Sequence, residues 1–272
     1  MSTEGKRRRR GILSTLEFIA AYAGANLSMA MEYKAAFLTQ LVSMMVNDGM
    51  WVVFWVLYFH RFPVVRGWER GDVIVLWAIV AAGFGLGHGL FGNALNLSRV
   101  IYEGGLDAYL TQPRDPLLHV LVSRTSPSAW GDFLFGVGVF LGFCHPDPAR
   151  LALFVLGTLV VAAMHISLAV IAHSLAFFIG DAGTLADQVY FAFLHFSTYP
   201  SAIFSGLIKV ILFSVLPAGF ISHMPVGLLR EFSWGYTAIL VGVSLALSLG
   251  AVGLFRLGLR RYASGNLLTI RV

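Results

Sequence analysis

Apolar segments long enough to cross a lipid bilayer, separated by short polar stretches, account for most of this 272-residue chain. About 20 consecutive apolar residues in a helix span the hydrocarbon core. Charged residues are only 12% of the sequence, whereas a soluble domain carries about 25%. Because a helix satisfies its own backbone hydrogen bonds in lipid, the sequence predicts an all-α integral membrane protein.

The apolar segments predict six transmembrane helices within a single transmembrane domain, residues 35–257. Their approximate bounds are residues 36–59, 73–97, 129–144, 151–179, 189–213 and 232–257. Proline disfavours helical backbone at the residue before it, so we expect the fifth segment to kink or break at Tyr199-Pro200. The next apolar stretch, residues 214–231, contains Pro217 and Pro225 and predicts short re-entrant helices between the fifth and sixth spans.

The first 34 residues combine a basic run, residues 6–10, with a segment that has one apolar helical face. Within residues 12–31 apolar side chains recur at helical spacing, on Ile12, Leu16, Ile19, Ala23, Leu27 and Ala30. This pattern is typical of an amphipathic helix that lies in the membrane interface. The basic run would then bind anionic lipid headgroups. A plain cytosolic helix is the alternative.

Lys and Arg residues are distributed unevenly between the polar segments. Thirteen of the 19 lie in residues 1–34, 98–132 and 256–272. Basic segments stay on the cytoplasmic side of a membrane, which predicts a multi-pass protein of the inner (plasma) membrane with both termini in the cytoplasm. Residues 258–272 would form a cytosolic tail. Because the basic residues sit at the ends of apolar segments, the net charge of +5 indicates lipid headgroups rather than nucleic acid as a partner.

Nucleotide-binding and redox motifs are missing from the sequence. The chain has three lysines, and none follows the glycines of a P-loop, so we expect no ATP hydrolysis, no enzymatic activity and no cofactor held by this chain. Gly87, Gly89 and Gly92 fit a GxGxxG pattern, but they lie in an apolar segment with no strand before them. Spaced pairs such as Gly83 with Gly87, and Gly85 with Gly89, instead predict close helix packing. The single cysteine, Cys144, excludes a disulfide framework within the chain.

Several polar residues fall inside the apolar segments, where they are costly and usually functional. We take Asp48, His88, Asn93 and Tyr199 as candidates for a translocation path. The alternative for these residues is a hydrogen bond between helices. His and carboxylate residues do not share a span at a spacing of three or four, so the sequence predicts no metal site.

Residues 98–132 form the longest polar interruption, yet they keep enough apolar residues for short amphipathic helices. A passive linker needs no apolar content, so we interpret this loop as a docking surface for another protein. A solvated loop whose charges only keep it in the cytosol is the alternative.

Five stretches of the sequence resemble the six-span, uncharacterised branch of the ABC-2 type transporter permease family. They are EGGLDAYLTQPRDPLLHVL (103–121), SAWGDFLFG (128–136), YPSAIF (199–204), ILFSVLPAGFISHMPVGLL (211–229) and GLRRYASGN (258–266), and they occur in the family's order. Together they extend over most of the chain.

The resemblance implies the transmembrane subunit of an ABC exporter. Such a subunit has an amphipathic connecting helix before the first span, a cytosolic coupling helix between the second and third spans, and short re-entrant helices between the fifth and sixth. It implies a homodimer or heterodimer of permeases with two separate ATP-binding subunits, which bind ATP and Mg. In this chain the expected coupling residues are Ile101, Glu103, Asp107, Tyr109, Leu110, Gln112, Pro113 and Arg114.

We expect the exported substrate to be amphipathic or lipid-like, or a drug, since the helix faces that would line a path are apolar and aromatic. The path would lie along the first, second and fifth spans. Two alternatives use Asp48 and the intramembrane histidines, namely an integral-membrane enzyme and a secondary transporter. The sequence shows neither a Ser/His/Asp set at fixed helical spacing nor a repeat between residues 36–130 and 151–257.

Overall fold

The computed structural model describes residues 3–262, with side chains from Leu13 onward. Within this range the chain forms α-helices and one short β-hairpin. The helices are α1 (Thr3–Ala30), α2 (Lys34–Arg61), α3 (Arg70–Phe91), α4 (Leu97–Tyr102), α5 (Asp107–Leu110), α6 (Pro116–Val122), α7 (Ala129–Cys144), α8 (Pro148–His173), α9 (Ala176–Ile179), α10 (Gly183–Ser197), α11 (Gly206–Ser214), α12 (Ala218–Arg230) and α13 (Trp234–Leu259). The antiparallel hairpin pairs β1 (Val64–Val65) with β2 (Trp68–Glu69).

Four helical segments of residues 3–262 are long and apolar enough to cross a membrane. They are Leu13–Arg61, Arg70–Tyr102, Pro148–Ile179 and Trp234–Leu259. The pair α11 and α12, bent by 85°, makes a fifth if it is taken as one span. The protein is therefore an all-α, multi-pass membrane protein. Helices α7 and α10 are shorter, with 16 and 15 residues.

The predicted fifth span, residues 189–213, is not one helix. Helix α10 ends at Ser197, a 3₁₀ turn follows at Ser201–Ile203, and α11 starts only at Gly206. Pro200 adopts extended backbone, with φ −54° and ψ 120°, and Gly206 has a positive φ of 57°, so the helix cannot continue through this stretch. The break expected at Tyr199-Pro200 is confirmed, and residues 189–213 belong to two helices separated by this break.

Helix α1 begins at Thr3, earlier than residue 12, and a 3₁₀ turn at Met31–Tyr33 joins it to α2. Its side chains contact α6 in the predicted coupling loop. The Asn26 side-chain amide donates a hydrogen bond to the Val122 carbonyl over 2.8 Å, and the Tyr22 hydroxyl lies 2.6 Å from His119 Nε2. Helix α1 is thus attached to the loop as well as to α2. Its position in the membrane interface stays a prediction.

Helix α3 is the most buried of the long helices and packs between α7 and α8. Its glycines make this packing possible, as the sequence predicted. A Cβ atom on Gly83 would lie 2.4 Å from Val161 of α8, and one on Gly85 would lie 2.3 Å from the Phe133 backbone of α7. Gly87 also faces α8, while Gly89 faces Trp130 of α7. The pair Gly83 and Gly87 therefore packs against α8, and the pair Gly85 and Gly89 packs against α7.

The connecting segments gather at two ends of the helix bundle. At one end, the hairpin end, Arg230 at the close of α12 forms an ion pair with Asp72 and donates to the Gly67 carbonyl, and Arg66 donates to the carbonyl of Ala202. The opposite end, the loop end, holds α4, α5, α6, α9 and the close of α13. There Arg256 lies 3.5 Å from the Asp115 carboxylate.

Candidate functional site

The 98–132 loop is largely helical. Helix α3 continues through a 3₁₀ segment, Gly92–Asn96, into α4, so the second apolar segment runs to Tyr102 rather than ending at residue 97. Asp115 then starts α6 as its N-cap, since its carboxylate accepts the Leu118 N–H over 3.1 Å and proline follows at the first helical position. The amphipathic content of the loop is used to pack these short helices on the bundle.

Two of the predicted coupling residues face into this chain. Ile101 is 3% exposed and belongs to the main core. The Tyr109 hydroxyl donates to Ser123 Oγ over 3.2 Å, and its ring packs edge-on against His119. Ile101 and Tyr109 therefore help to position the loop, and a direct contact of either residue with a partner stays a prediction.

The other predicted residues lie on the outside. We name the exposed stretch from Leu110 to Asp115 the ridge; it contains Leu110, Gln112, Pro113 and Arg114. Leu110 is 40% exposed, and the Arg114 guanidinium lies 5.1 Å from the centre of the Phe18 ring in α1. Glu103 is exposed beside the ridge. An apolar side chain flanked by charges of both signs is available for contact with another protein.

Asp107 connects the loop to the end of α13. Burial, together with the nearby Asp107 carboxylate, raises the pKa of Tyr262 to about 12. The phenol therefore stays protonated at physiological pH.

His119 faces Tyr22 of α1, and burial lowers the pKa of this imidazole, which favours its neutral form.

A cavity of about 150 Å³ lies inside the bundle between α2, α3, α7 and α10. Two of the four predicted path residues, Asp48 and Tyr199, line it together. The other polar and aromatic lining residues include Asn47, Trp51, Trp77, Phe84, Asp132 and His195. The expected participation of the first, second and fifth apolar segments agrees with this lining.

Asp132 is the residue of this cavity that sequence analysis missed. Its carboxyl group lies within hydrogen-bonding reach of Asp48, and each residue is 4% exposed. One oxygen of each, Oδ2, has no hydrogen-bond partner among the described residues. Gly131 brings Asp132 this close, because a Cβ at that position would lie 2.3 Å from the Leu41 carbonyl oxygen of α2. In the sequence, Gly131 directly before Asp132 is the one sign that this acid could lie against another helix.

The other two predicted path residues lie elsewhere. His88 Nε2 is 2.5 Å from the Tyr190 hydroxyl, which is also 3.2 Å from His165 Nδ1, and all three side chains are fully buried. The Asn93 amide donates to the Val120 carbonyl and to Ser123 Oγ. Hydrogen bonding between segments, the alternative interpretation, describes both residues.

Replacing Tyr190 by phenylalanine is expected to lower stability by about 1–3 kcal/mol. The change removes one hydroxyl and leaves two buried imidazole nitrogens without a hydrogen-bond partner. An unsatisfied buried polar group costs about 1–3 kcal/mol in a soluble core. Hydrogen bonds in membrane bundles contribute less, about 0.6 kcal/mol on average. Thermal unfolding of the purified protein measures the effect. Tyr236→Phe is the control, because Tyr236 is exposed; equal melting temperatures for both variants would contradict the prediction.

A Ser/His/Asp arrangement does occur, but between helices and not along one. Ser98 Oγ of α4 lies 2.9 Å from His173 Nδ1 of α8, and His173 Nε2 lies 3.6 Å from the Asp187 carboxylate of α10. Ser98 and His173 are both buried. The arrangement joins three helices at the loop end. Within the described residues, no group of three His, Cys, Asp or Glu side chains is placed to hold a metal ion.

Comparison with known proteins identifies the family. A family model described as "ABC-2 family transporter protein" matches residues 42–265, which is most of the chain. This chain belongs to the ABC-2 transporter family. Neither the curated proteins nor the solved structures gave a match to it.

Membership makes the chain a permease subunit of an ABC transporter, which works with an ATP-binding subunit. The matched range starts at Val42 within α2 and includes the whole 98–132 loop, both carboxylates of the cavity and the bent pair α11–α12. Helix α1 lies before it. The cavity and the ridge therefore both lie within the range that the family model matches.

Proposed function

We propose that this ABC-2 permease exports an amphipathic or lipid-like substrate or drug, driven by a separate ATP-binding subunit that docks on the ridge and Glu103. The observation that supports this most is the contrast within one loop. Ile101, Leu106 and Tyr109 anchor the loop in this chain, whereas Leu110 to Arg114 are left outside. The partner subunit supplies the ATP, the Mg and the hydrolysis.

The topology that we propose has six spans, with re-entrant α11 and α12 between the last two. Contacts at the two ends of the bundle support it. Segments 62–72, 199–204 and α12 meet at the hairpin end, whereas α1, the loop and the close of α13 meet at the loop end. The excess of basic residues assigns the loop end to the cytoplasm.

Force from the ATP-binding subunit would travel through the side chains that join the loop to the long helices. The Ser98–His173–Asp187 contacts join α4 to α8 and α10. Asp115 and Asp107 join the ridge and α5 to the end of α13, through Arg256 and Tyr262. Because α10 also carries His195, which lines the cavity, this connection extends from the docking surface to the cavity.

A second permease is proposed to face α2. Most of this 28-residue helix is exposed, and only Asp48, Trp55 and Phe59 are buried. Its exposed apolar residues include Leu38, Val42, Val46, Met50, Val53 and Leu57. A partner permease and membrane lipid would share this surface, so that the cavity lies near the seam between two permeases.

One observation favours a second candidate function. Two facing carboxyl groups inside a membrane protein, Asp48 and Asp132, are also what a proton-coupled secondary transporter would use. The two functions differ in their energy source. Transport that needs the ATP-binding subunit supports the exporter, and transport that a protonophore abolishes without that subunit supports the alternative.

Site-directed cross-linking tests the docking proposal. Cys144 is the only cysteine, so Cys144→Ser gives a cysteine-free background. In it, Gln112→Cys places a thiol on the ridge and Val64→Cys places one on the hairpin, where Val64 is 60% exposed. We expect a thiol-reactive photo-cross-linker to capture the co-expressed ATP-binding subunit from position 112 only.

Capture from position 64 but not from position 112 would reverse the proposed topology. Capture from neither position, while the two subunits still co-purify, would place the docking surface outside the ridge. Either result would overturn the proposal.

A further inference from the structure

We propose that the cavity between α2, α3, α7 and α10 binds the ammonium head group of a cationic amphiphile, with Asp48 and Asp132 as its counter-charge. This inference deepens the proposed export function by naming the substrate class, and it rests on that function only for the direction of transport. Binding itself needs no ATP-binding subunit. The two ideas can therefore fail separately.

The carboxyl pair is the first element of the proposed site. Asp48 and Asp132 are buried against each other from two helices, and no described Lys or Arg forms an ion pair with either of them. Two carboxylates this close repel each other, so they must share a proton or a cation. Each also has one buried oxygen, Oδ2, without a hydrogen-bond partner among the described residues, and both residues line the cavity. The pair therefore places two incompletely hydrogen-bonded carboxyl groups in the cavity wall.

Aromatic rings complete the lining. Trp51 and Trp77 stack with ring centres 5.8 Å apart, and Phe84 and Tyr199 also line the cavity. Cations are attracted to the faces of aromatic rings, most strongly to tryptophan, and sites for quaternary ammonium groups are built this way. A neutral apolar guest would gain from the rings but would leave the carboxyl oxygens unsatisfied. The lining therefore favours a cation with an apolar surface over a hydrated metal ion.

Access to the cavity fits an amphiphile. Trp51 is 38% exposed and His195 is exposed too, so both stand at its mouth, next to the exposed face of α2. With about 150 Å³, the space suits a head group and not a whole amphiphile. An alkyl chain would extend along α2, where Met50 and Val46 offer an apolar surface.

Other titratable groups in the lining come from one part of the chain. Helix α10 contributes His195 and the segment that follows it contributes Tyr199, whereas the residues that α3 contributes are apolar or aromatic. Beside Asp48, α2 contributes the neutral amide of Asn47. Among the lining residues, only Asp48 and Asp132 are acids that could supply the negative charge.

Equilibrium binding of tritiated decyltrimethylammonium to the purified permease in lipid nanodiscs tests the proposal. A decyl chain ending in a tert-butyl group is the uncharged probe of equal shape. We expect saturable binding of the ammonium only, and at least a tenfold weaker affinity in Asp48→Asn and in Asp132→Asn. Glu32→Gln is the matched control, since it removes an exposed carboxylate at the start of the same helical segment.

Unchanged ammonium affinity in both variants, or equal binding of the two probes, would overturn the proposal, and so would a lack of saturable binding. A second measurement uses the unaltered protein and does not depend on how the variants fold. Dicyclohexylcarbodiimide, an apolar reagent for protonated carboxyl groups, should label Asp48 or Asp132, and decyltrimethylammonium should protect them. Labelling that stays constant at saturating ammonium would show that the pair only shares a proton within the fold.

Discussion

The double variant Leu110→Asp, Arg114→Glu is expected to abolish ATP-driven transport and the co-purification of the ATP-binding subunit. Both side chains are exposed on the ridge, so the change adds two negative charges and removes one positive charge at a surface without disturbing the core. Central contacts of a protein interface often contribute about 2 kcal/mol or more each. Losing two of them, about 4 kcal/mol together, would weaken docking by roughly a thousandfold.

Two comparisons make this result specific. Val64→Asp introduces charge at an exposed site of the opposite end and should leave both activities unchanged. The melting temperature of the ridge variant should stay close to that of the unaltered protein, because the loop is anchored in the core by the buried residues Ile101 and Leu106. If the variant still co-purifies with the ATP-binding subunit and transports at the normal rate, the ridge is a solvated loop and the ATP-binding subunit docks elsewhere.

Gly136→Val is expected to destabilise the bundle by about 3 kcal/mol or more, the upper range for overpacking a core. A Cβ at this position would lie 2.4 Å from the Ala78 carbonyl oxygen and 2.5 Å from the Ala82 nitrogen. Both atoms belong to the α3 backbone, which cannot rotate away as a side chain does. Helices α3 and α7 would have to separate.

The matched control is Gly138→Val, two residues further along α7, because nothing lies within 4 Å of a Cβ there. Both substitutions change the intrinsic helix preference equally, so a difference between them reports packing alone. Size-exclusion chromatography and thermal unfolding in detergent measure it. Similar melting temperatures for the two variants would contradict the close contact between α3 and α7.

The sequence was sufficient to predict the features that follow from hydropathy and from local backbone chemistry. Lipid solvation requires long apolar helices, Pro200 disfavours helical backbone at Tyr199, and glycines four residues apart favour close contact between helices. The position of Asp115 before Pro116 likewise indicates a helix start. These features depend on residues that are near one another in the sequence.

Features that depend on which helices meet could not be predicted. Asp132 reaches Asp48 because Gly131 lets α7 start against α2, a contact between residues far apart in the chain. Tyr190 faces His88 for a similar reason. The inward direction of Tyr109 depends on Ser123 and His119, and a helix of four residues has too little periodicity to reveal its buried face.

The sparse attachment of α2 has a consequence for how cargo enters. Helices α3 and α8 are buried on most sides, whereas the segment containing α2 is only 11% buried. Most of α2 thus faces away from this chain, and its main contacts within the bundle are with α3 and α7. The cavity would then open sideways, and a molecule dissolved in the bilayer could enter from the lipid leaflet without first passing through water.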